Sequence, residues 1–202
     1  MTAINKDVSV YRFFNRWARR QGPVCRFWRW AKKYGIPGDV ITLNGAEQNC
    51  LPANIALDDY GIERLTSAFF QLSGIEHVDS ISLKRNRLKK IPEGISKCTA
   101  LKELRLAGNA IKCLPASLRC LENIESLDLA DNRLIELPHD LVHLRQLKAI
   151  ALQGNPKLRI TDEQKAWLRS LDSEQVTFDT DLFDRKSRAR RETDEEYYSR
   201  QY

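Results

Sequence analysis

The sequence has 202 residues, 42% of them hydrophobic and 30% charged, which is the balance of an ordinary soluble protein with a substantial core. It contains no run of eighteen apolar residues and no Cys-x-x-Cys pair, so we expect no transmembrane helix, no zinc site and no secreted disulfide framework. The net charge of +6 is uneven, because residues 1–38 contain nine Lys and Arg and one acid. The chain as a whole is therefore not a typical nucleic-acid-binding protein.

Residues 1–38 are a basic and aromatic segment, which we call the N-terminal arm. Gly22 and Pro23 should divide it into two short helices. Three interpretations stay open: a cap on the rest of the chain, an arm that binds a large partner or an anionic membrane surface, and a cleavable mitochondrial transit peptide. RNA would also suit the alternating rings and cations of residues 11–34. The candidate partner-binding residues of the arm are Phe13, Phe14, Trp17, Arg19, Arg20, Trp28 and Trp30.

Residues 39–77 are expected to form an N-terminal cap that contains a degenerate repeat. Residues 40–43, followed by Leu51 and Pro52, resemble a divergent repeat strand. A regular strand is not expected at residues 55–60, because Asp58 occupies a position that the later repeats fill with an aliphatic residue. Residues 58–72 instead have the apolar spacing of an amphipathic helix, with Ile62, Leu65, Phe69 and Leu72 on one face.

Residues 78–158 contain four copies of a 23-residue repeat. Each copy begins with the pattern LxxLxLxxN, and the first three continue with an aliphatic residue and a proline. The first copy places Val78, Ile81, Leu83, Asn86 and Leu88 in this pattern, and steps of 23 give the equivalents in the others. The asparagines are Asn86, Asn109, Asn132 and Asn155, and the prolines are Pro92, Pro115 and Pro138.

This pattern resembles the leucine-rich-repeat family, and its LPxxIxxL half is similar to the intracellular Ras-suppressor type. The resemblance implies an α/β leucine-rich-repeat solenoid, for which we expect helical N- and C-terminal caps. The alternating leucines should point inward from a short strand. The asparagines should form a ladder that pairs buried backbone groups, and each proline should begin a helical turn. Because one repeat cannot bury its own apolar face, stability should come from stacking.

A second resemblance lies around residues 74–83, which follow the predicted helix. This stretch is similar to the mitochondrial ATP synthase coupling factor B (subunit s) group, whose small members carry degenerate leucine-rich repeats and associate with inner-membrane complexes. It implies a mitochondrial location, with the cytoplasm as the alternative. The sequence departs from that group after this stretch, because its asparagine and proline positions are regular.

Residues 159–183 are expected to form a C-terminal cap. Thr161 and Gln164 predict a helix that begins with a capping box, and Trp167, Leu168 and Leu171 lie on one face of it. A short strand at residues 176–178 should follow. Residues 184–202 are a charged tail that we interpret as a solvated extension, with a nuclear localisation signal at residues 185–191 as an alternative.

The strand positions that alternate with the core leucines should line the concave face of the solenoid. Many of them are Ala, Gly or Ser, so a partner's backbone could approach closely. The charges run from basic to acidic along the face and would orient a partner. The alternative is a solvated sheet face without a ligand. The candidate partner-binding residues of this face are Lys84, Arg85, Arg105, Asp128, Asp131 and Gln153.

No catalytic or metal site is predicted. His139 and His143 lack a third ligand nearby in sequence, no phosphate-binding loop or nucleophile elbow occurs, and no cofactor or small-molecule substrate is expected. We therefore predict a non-catalytic interaction scaffold, an accessory subunit of a large intracellular, mitochondrial assembly such as a respiratory complex, ATP synthase or ribosome. The alternative is a free regulatory repeat protein that binds a signalling protein through the concave face.

Overall fold

The computed structural model describes residues 23–36, 51–171 and 175–183. A parallel sheet of six strands follows the order of the chain. Its strands are β1 (Asn54–Ala56), β2 (Ser80–Ser82), β3 (Glu103–Arg105), β4 (Ser126–Asp128), β5 (Ala149–Ala151) and β6 (Val176–Thr177). Two α-helices are α1 (Pro23–Lys33) and α2 (Asp162–Ser170). The 3₁₀-helices are Phe69–Gln71, Ile75–His77, Glu93–Lys97, Ala116–Cys120 and His139–His143.

Each of the first five strands is three residues long and places one aliphatic side chain in the core, and the next inward side chain of the repeat directly follows the strand. The middle residue of each of the first five strands is buried, with its neighbours on the opposite face. Full burial of one such side chain contributes about 1.5–3 kcal/mol. Stacking aligns the middle residues, so that Ile81, Leu104 and Leu127 are partners in register. The core is thus a column of aliphatic side chains that runs through the coil, as the repeat pattern predicts.

The predicted asparagine ladder is confirmed. The Oδ1 of Asn132 accepts a hydrogen bond from the N–H of Ile111 in the preceding repeat at 3.1 Å. Its Nδ2 donates to the carbonyls of Leu106 and Leu129 at 3.0 and 3.1 Å. The other three asparagines make the same pairs one repeat apart. These amides pair backbone groups that the tight coil removes from water.

The convex side returns through 3₁₀-helices rather than α-helices. Pro92, Pro115 and Pro138 each stand immediately before one of them, as predicted from the repeat. Each helix is five residues long and buries one aliphatic residue, Ile95, Leu118 or Leu141. A tight helix of this length returns the chain to the sheet within the 23 residues of one repeat.

The first turn of the coil differs from the prediction. Residues 58–72 contain no α-helix, only the 3₁₀-helix Phe69–Gln71, and β1 lies where no regular strand was expected. The register pairs Ile55 with Ile81, which is a step of 26 rather than 23. Ile62, Leu65, Phe69 and Leu72 then fall 26 residues before the core positions of the next repeat, and all four are buried. Three extra residues before Val78 account for the longer step.

Helix α1 packs against this first turn. Phe27 and Ala31 are buried, and the Phe27 ring lies 5.9 Å from that of Phe69, centroid to centroid. The Nε1–H of Trp30 donates to the carbonyl of Arg64 at 2.6 Å. The second half of the N-terminal arm is therefore part of the solenoid core, whereas residues 1–22 and 37–50, including the predicted strand at residues 40–43, lie outside the described residues.

The C-terminal end follows the sequence prediction closely. The capping box of α2 is confirmed, with Thr161 and Gln164 bonded to each other's backbone N–H groups. The buried Gln164 also donates to the carbonyl of Leu137 at 3.1 Å, which fastens the helix to the third repeat. Strand β6 pairs with β5 and continues the sheet. Within the described residues, no helix is long and apolar enough to cross a membrane.

Candidate protein-binding face

The outward positions of the strands form two continuous rows, and with the residues that follow each strand they make up the concave face. One row joins Ala56, Ser82, Arg105, Asp128, Ala151 and Thr177 through the strand register, and the other joins Asn54, Ser80, Glu103, Ser126 and Ala149. This arrangement confirms the register on which the predicted face was based. Adjacent strands lie about 4.8 Å apart, so side chains in a row are close neighbours.

The predicted basic residues of the face are paired with carboxylates of the same chain. Lys84 Nζ lies 2.9 Å from Asp128 Oδ2, two repeats further along. The guanidinium of Arg105 contacts Glu103 Oε1 at 2.5 Å in the neighbouring row. The charges of the predicted gradient from basic to acidic are thus largely neutralised by ion pairs within the face. A partner would contact these ion pairs rather than free charges.

Arg85 makes the most extensive of these pairs. Its Nε and NH2 donate to the two carboxylate oxygens of Asp59 at 2.8 and 2.6 Å. The hydrogen bonds and the charge of Arg85 lower the pKa of Asp59, and the same contacts raise the pKa of Arg85. Both groups are exposed, so the pair orients the two side chains more than it stabilises the fold.

Two carboxylates of the first turn were not among the predicted site residues. Asp58 Oδ1 accepts from the Ser82 hydroxyl at 2.6 Å and from the Lys84 backbone N–H at 2.7 Å. Asp58 and Asp59 lie 26 residues before Lys84 and Arg85, so they occupy the equivalent positions of the first repeat. The longer first repeat was the signal that could have identified them.

The C-terminal half of the face carries smaller side chains than the N-terminal half. Ala149, Ala151 and Gly154 leave the backbone accessible between larger neighbours, and the Gln153 amide accepts from the Thr177 hydroxyl at 2.5 Å. Asp131 is exposed, and no ion pair involves it within the described parts of the chain. This part of the face offers an exposed carboxylate beside small side chains.

The arm residues divide into two groups. Trp28 and Trp30 lie on α1 and pack against the hydrophobic core, so much of their surface is used within the chain. Their predicted contact with a partner stays a prediction, as does that of Phe13, Phe14, Trp17, Arg19 and Arg20, which lie outside the described residues.

The remaining chemically active side chains do not form a common site. Cys98 is buried, and burial raises the pKa of its thiol to about 12. Cys120 is exposed on the convex side. The rings of His139 and His143 contact edge to face at 6.4 Å, and His139 Nδ1 lies 3.5 Å from Glu163. Across residues 23–36, 51–171 and 175–183, no three metal-ligating side chains converge.

Comparison with known proteins agrees with this architecture. The family model described as leucine rich repeat matches residues 76–134. The coil is a leucine-rich-repeat solenoid. The solenoid is similar to a leucine-rich-repeat protein of Leptospira interrogans, with 26% sequence identity over 62% of this chain and a TM-score of 0.53. It spans about a third of the length of that protein, 32%. A search of curated protein sequences gave no significant match.

Two plant ectodomains share the fold at lower identity. One is the leucine-rich-repeat ectodomain of the Arabidopsis thaliana membrane receptor kinase GASSHO1/SCHENGEN3, solved in complex with CASPARIAN STRIP INTEGRITY FACTOR 2. Its sequence identity is 23% and its TM-score is 0.54, and the match covers 69% of the present chain and 16% of the ectodomain. The Arabidopsis thaliana BIR2 ectodomain has 20% identity and a TM-score of 0.52, and the match covers 69% of the present chain and 75% of the ectodomain. At this identity the likeness shows the fold alone. That fold indicates a protein-interaction domain.

Proposed function

We propose that this solenoid is a non-catalytic scaffold that binds a protein partner on its concave face. The observation that carries the proposal is the pair of unbroken rows along the sheet, in which small side chains stand on both sides of charged groups that are held in ion pairs. Small side chains let a partner backbone approach the sheet, and ion pairs already held in place lose little side-chain entropy when the partner arrives.

The charges indicate how such a partner would be oriented. Arg85 and Arg105 are already bonded to carboxylates, so an acidic partner group would compete with Asp59 and Glu103 for them. Asp131 has no such competitor among the described residues and would accept a Lys or Arg of the partner. A basic side chain of the partner over the C-terminal half of the face is the expected arrangement.

We further propose that the partner belongs to a large intracellular assembly, mitochondrial in location, in which this chain is an accessory subunit. Two sequence features support this proposal: the basic aromatic composition of residues 1–22, and the likeness of residues 74–83 to the coupling factor B group. In this arrangement Phe13, Phe14, Trp17, Arg19 and Arg20 contact a neighbouring subunit or ribosomal RNA, while the solenoid provides a rigid surface.

The test of the concave face is affinity purification of a tagged full-length chain from native cells, followed by mass spectrometry. Ala151→Tyr places a bulky ring on the C-terminal half of the face, on the side of β5 away from the core, and it should remove the partner. Ala166→Tyr places the same ring on the exposed side of α2 and serves as the control. If Ala151→Tyr retrieves the same proteins as the control and the native chain, the concave face is not the binding surface.

The second candidate, a free regulatory binder, is favoured by the docking of α1 on its own solenoid. A full-length variant with Trp17→Ala, Arg19→Ala and Arg20→Ala separates the two functions. Loss of a respiratory complex, ATP synthase or ribosome with this variant supports the assembly role. If the variant still retrieves one or two soluble signalling proteins, and Arg105→Glu or Asp128→Lys removes them, the chain is a free regulator. Deleting residues 1–38 is a poorer test, because it also removes α1 from the core.

A further inference from the structure

One lateral side of the solenoid is lined by exposed cations, and we call it the basic flank. It is the side where the chain turns from the asparagine ladder toward the convex 3₁₀-helices. Two acids, Glu63 and Glu136, lie on the same side. The exposed cations are Arg64, Arg87, Lys89, Lys90, Lys112, Arg133, Lys157 and Arg159.

Backbone hydrogen bonds between repeats hold these cations in line. The N–H of Lys112 donates to the carbonyl of Lys89, and that of Ile135 donates to the carbonyl of Lys112. Isolated bridges join Lys90 to Cys113 and Glu136 to Arg159. Successive repeats therefore place their cations about 4.8 Å apart along the solenoid axis. The flank is a stripe over five turns rather than a compact cluster.

The rest of the solenoid has the opposite charge balance. Residues 51–171 contain eighteen Lys and Arg and fifteen Asp and Glu, and the flank takes eight of these cations but only two of the acids. On the opposite side of the coil the charges alternate and pair, with Lys102 3.0 Å from Asp79 and Lys148 2.7 Å from Glu125. The repeats therefore pair cations with acids on two surfaces, and on the third surface they carry eight cations and two acids.

Lys90 aside, the cations of the flank form no ion pair with the residues that the structure describes. Within the described residues, Arg87, Lys112 and Arg133 take part in no ion pair, although the concave face pairs Lys84, Arg85 and Arg105. Eight exposed like charges in a stripe repel one another, and the ion pairs seen among residues 51–171 do not offset the resulting loss of stability. A ligand that carries negative charges in a line would recover it.

We propose that the basic flank binds the phosphodiester backbone of a single-stranded nucleic acid. The linear, regular spacing fits a polymer with one charge per unit, and the arginines can bond phosphate oxygens in pairs. A membrane surface is the weaker match, because Ile135 is the exposed large hydrophobic residue of the described chain and a single such residue inserts little apolar area. No ring lies among the flank residues, so binding is independent of base sequence.

The probe is a fluorescent 20-mer of oligouridylate, titrated with the full chain at several salt concentrations and followed by anisotropy. The variant Lys89→Gln, Lys112→Gln, Arg133→Gln removes three charges from the middle of the flank. Counterion release predicts an affinity about 100-fold lower at ~0.1 M salt, and a slope of log Kd against log salt that is smaller by about 2. Far-UV circular dichroism checks that the variant is folded.

The matched control removes the same number and type of charges elsewhere, with Lys97→Gln, Lys102→Gln and Arg145→Gln. It should change the affinity by less than about threefold, because exposed charges beyond a Debye length are screened. Equal losses in both variants, or no binding of the oligonucleotide by the native chain, would overturn the proposal. So would flank-dependent binding to vesicles of phosphatidylcholine and phosphatidylserine (3:1) with no binding to oligouridylate, since the surface would then belong to a membrane.

Discussion

Replacement of Asn132 by alanine tests the ladder on which the coil depends. The Asn132 side chain is 5% exposed, and its amide bonds the Ile111 N–H and the carbonyls of Leu106 and Leu129. Those carbonyls are shared, because Asn109 also donates to Leu106 and Asn155 also donates to Leu129. After the substitution both carbonyls keep a partner, and the Ile111 N–H loses the partner that it has in the ladder.

The cost follows from this count. One buried donor without a partner costs about 1–3 kcal/mol, and the weakened bonds to the carbonyls add about 0.5–1.5 kcal/mol. We expect Asn132→Ala to lower the free energy of unfolding by about 2–4 kcal/mol, out of a typical total of about 5–15 kcal/mol. Asn123→Ala is the control, because Asn123 is exposed and makes one side-chain bond, to the Thr99 carbonyl at 2.8 Å. Its expected cost is below ~1 kcal/mol.

The assay is equilibrium unfolding in urea, followed by tryptophan fluorescence and far-UV circular dichroism. The two signals must coincide, because a repeat protein can unfold in parts and the free energy is then undefined. Equal destabilisation by Asn132→Ala and Asn123→Ala, or a cost below ~1 kcal/mol for Asn132→Ala, would refute the reasoning from buried backbone groups.

Three further predictions follow from local geometry. At pH 8 iodoacetamide should label Cys120 and leave Cys98 unmodified in the folded chain. The pKa of the Cys98 thiol is about 12, so about one molecule in ten thousand carries the reactive thiolate. Peptide mass mapping measures the labelling of each cysteine. Arg85→Gln should raise the pKa of Asp59 toward its ordinary value in a carboxyl NMR titration, because the depressed pKa comes from that guanidinium. The pair's contribution is present above the ordinary carboxyl pKa and is lost as pH falls through the depressed value. Gly154→Ala should lower the free energy of unfolding by more than ~1 kcal/mol, because Gly154 has φ +72° and a Cβ would collide with a neighbouring carboxylate.

Each of these has an internal control. Unfolding in urea should make Cys98 as reactive as Cys120, and labelling of Cys98 in the folded chain would show that the core opens there. An unchanged Asp59 pKa in Arg85→Gln would assign the shift to another group. Gly61 has a similar φ of +65°, and no atom lies near the new Cβ of Gly61→Ala. This substitution should lower the free energy of unfolding by less than Gly154→Ala does. An equal loss would show that the collision does not cause the destabilisation.

The repeat itself could be read from the sequence because its physics is local. A leucine that alternates in a strand, an asparagine at the turn and a proline before the 3₁₀-helix each have one structural role. Because these residues recur in phase in successive repeats, few other folds are compatible with the sequence. The leucine-rich-repeat solenoid, the strand register, the ladder and the capping box of Thr161 were all predictable on this basis.

The first turn was mispredicted because two patterns coincide in it. Ile62, Leu65, Phe69 and Leu72 have the spacing of one helix face, and the same spacing separates the core positions of a repeat. A fixed step of 23 does not hold across the insertion before Val78, so the helical pattern is the one that the sequence shows there. A step of 26 restores the whole turn.

The same error affected the predicted site. The concave face was expected to run from basic to acidic, but Asp59 belongs to the misplaced turn, and its pairing with Arg85 was therefore not visible. The pair between Lys84 and Asp128 spans two repeats and depends on side-chain length and direction, which a one-dimensional pattern does not contain.

The ladder makes the stacking of turns directional. Each asparagine oxygen accepts from the N–H of the turn before its own, so every turn is completed by its successor: Ile62 by Asn86, and Leu134 by Asn155. The first turn has Tyr60 at the equivalent position, and in the fifth turn the Leu158 N–H donates to the Asn155 carbonyl of the same turn. Removal of the last turn would therefore also deprive the turn before it of a partner, because the Leu134 N–H donates to Asn155 Oδ1.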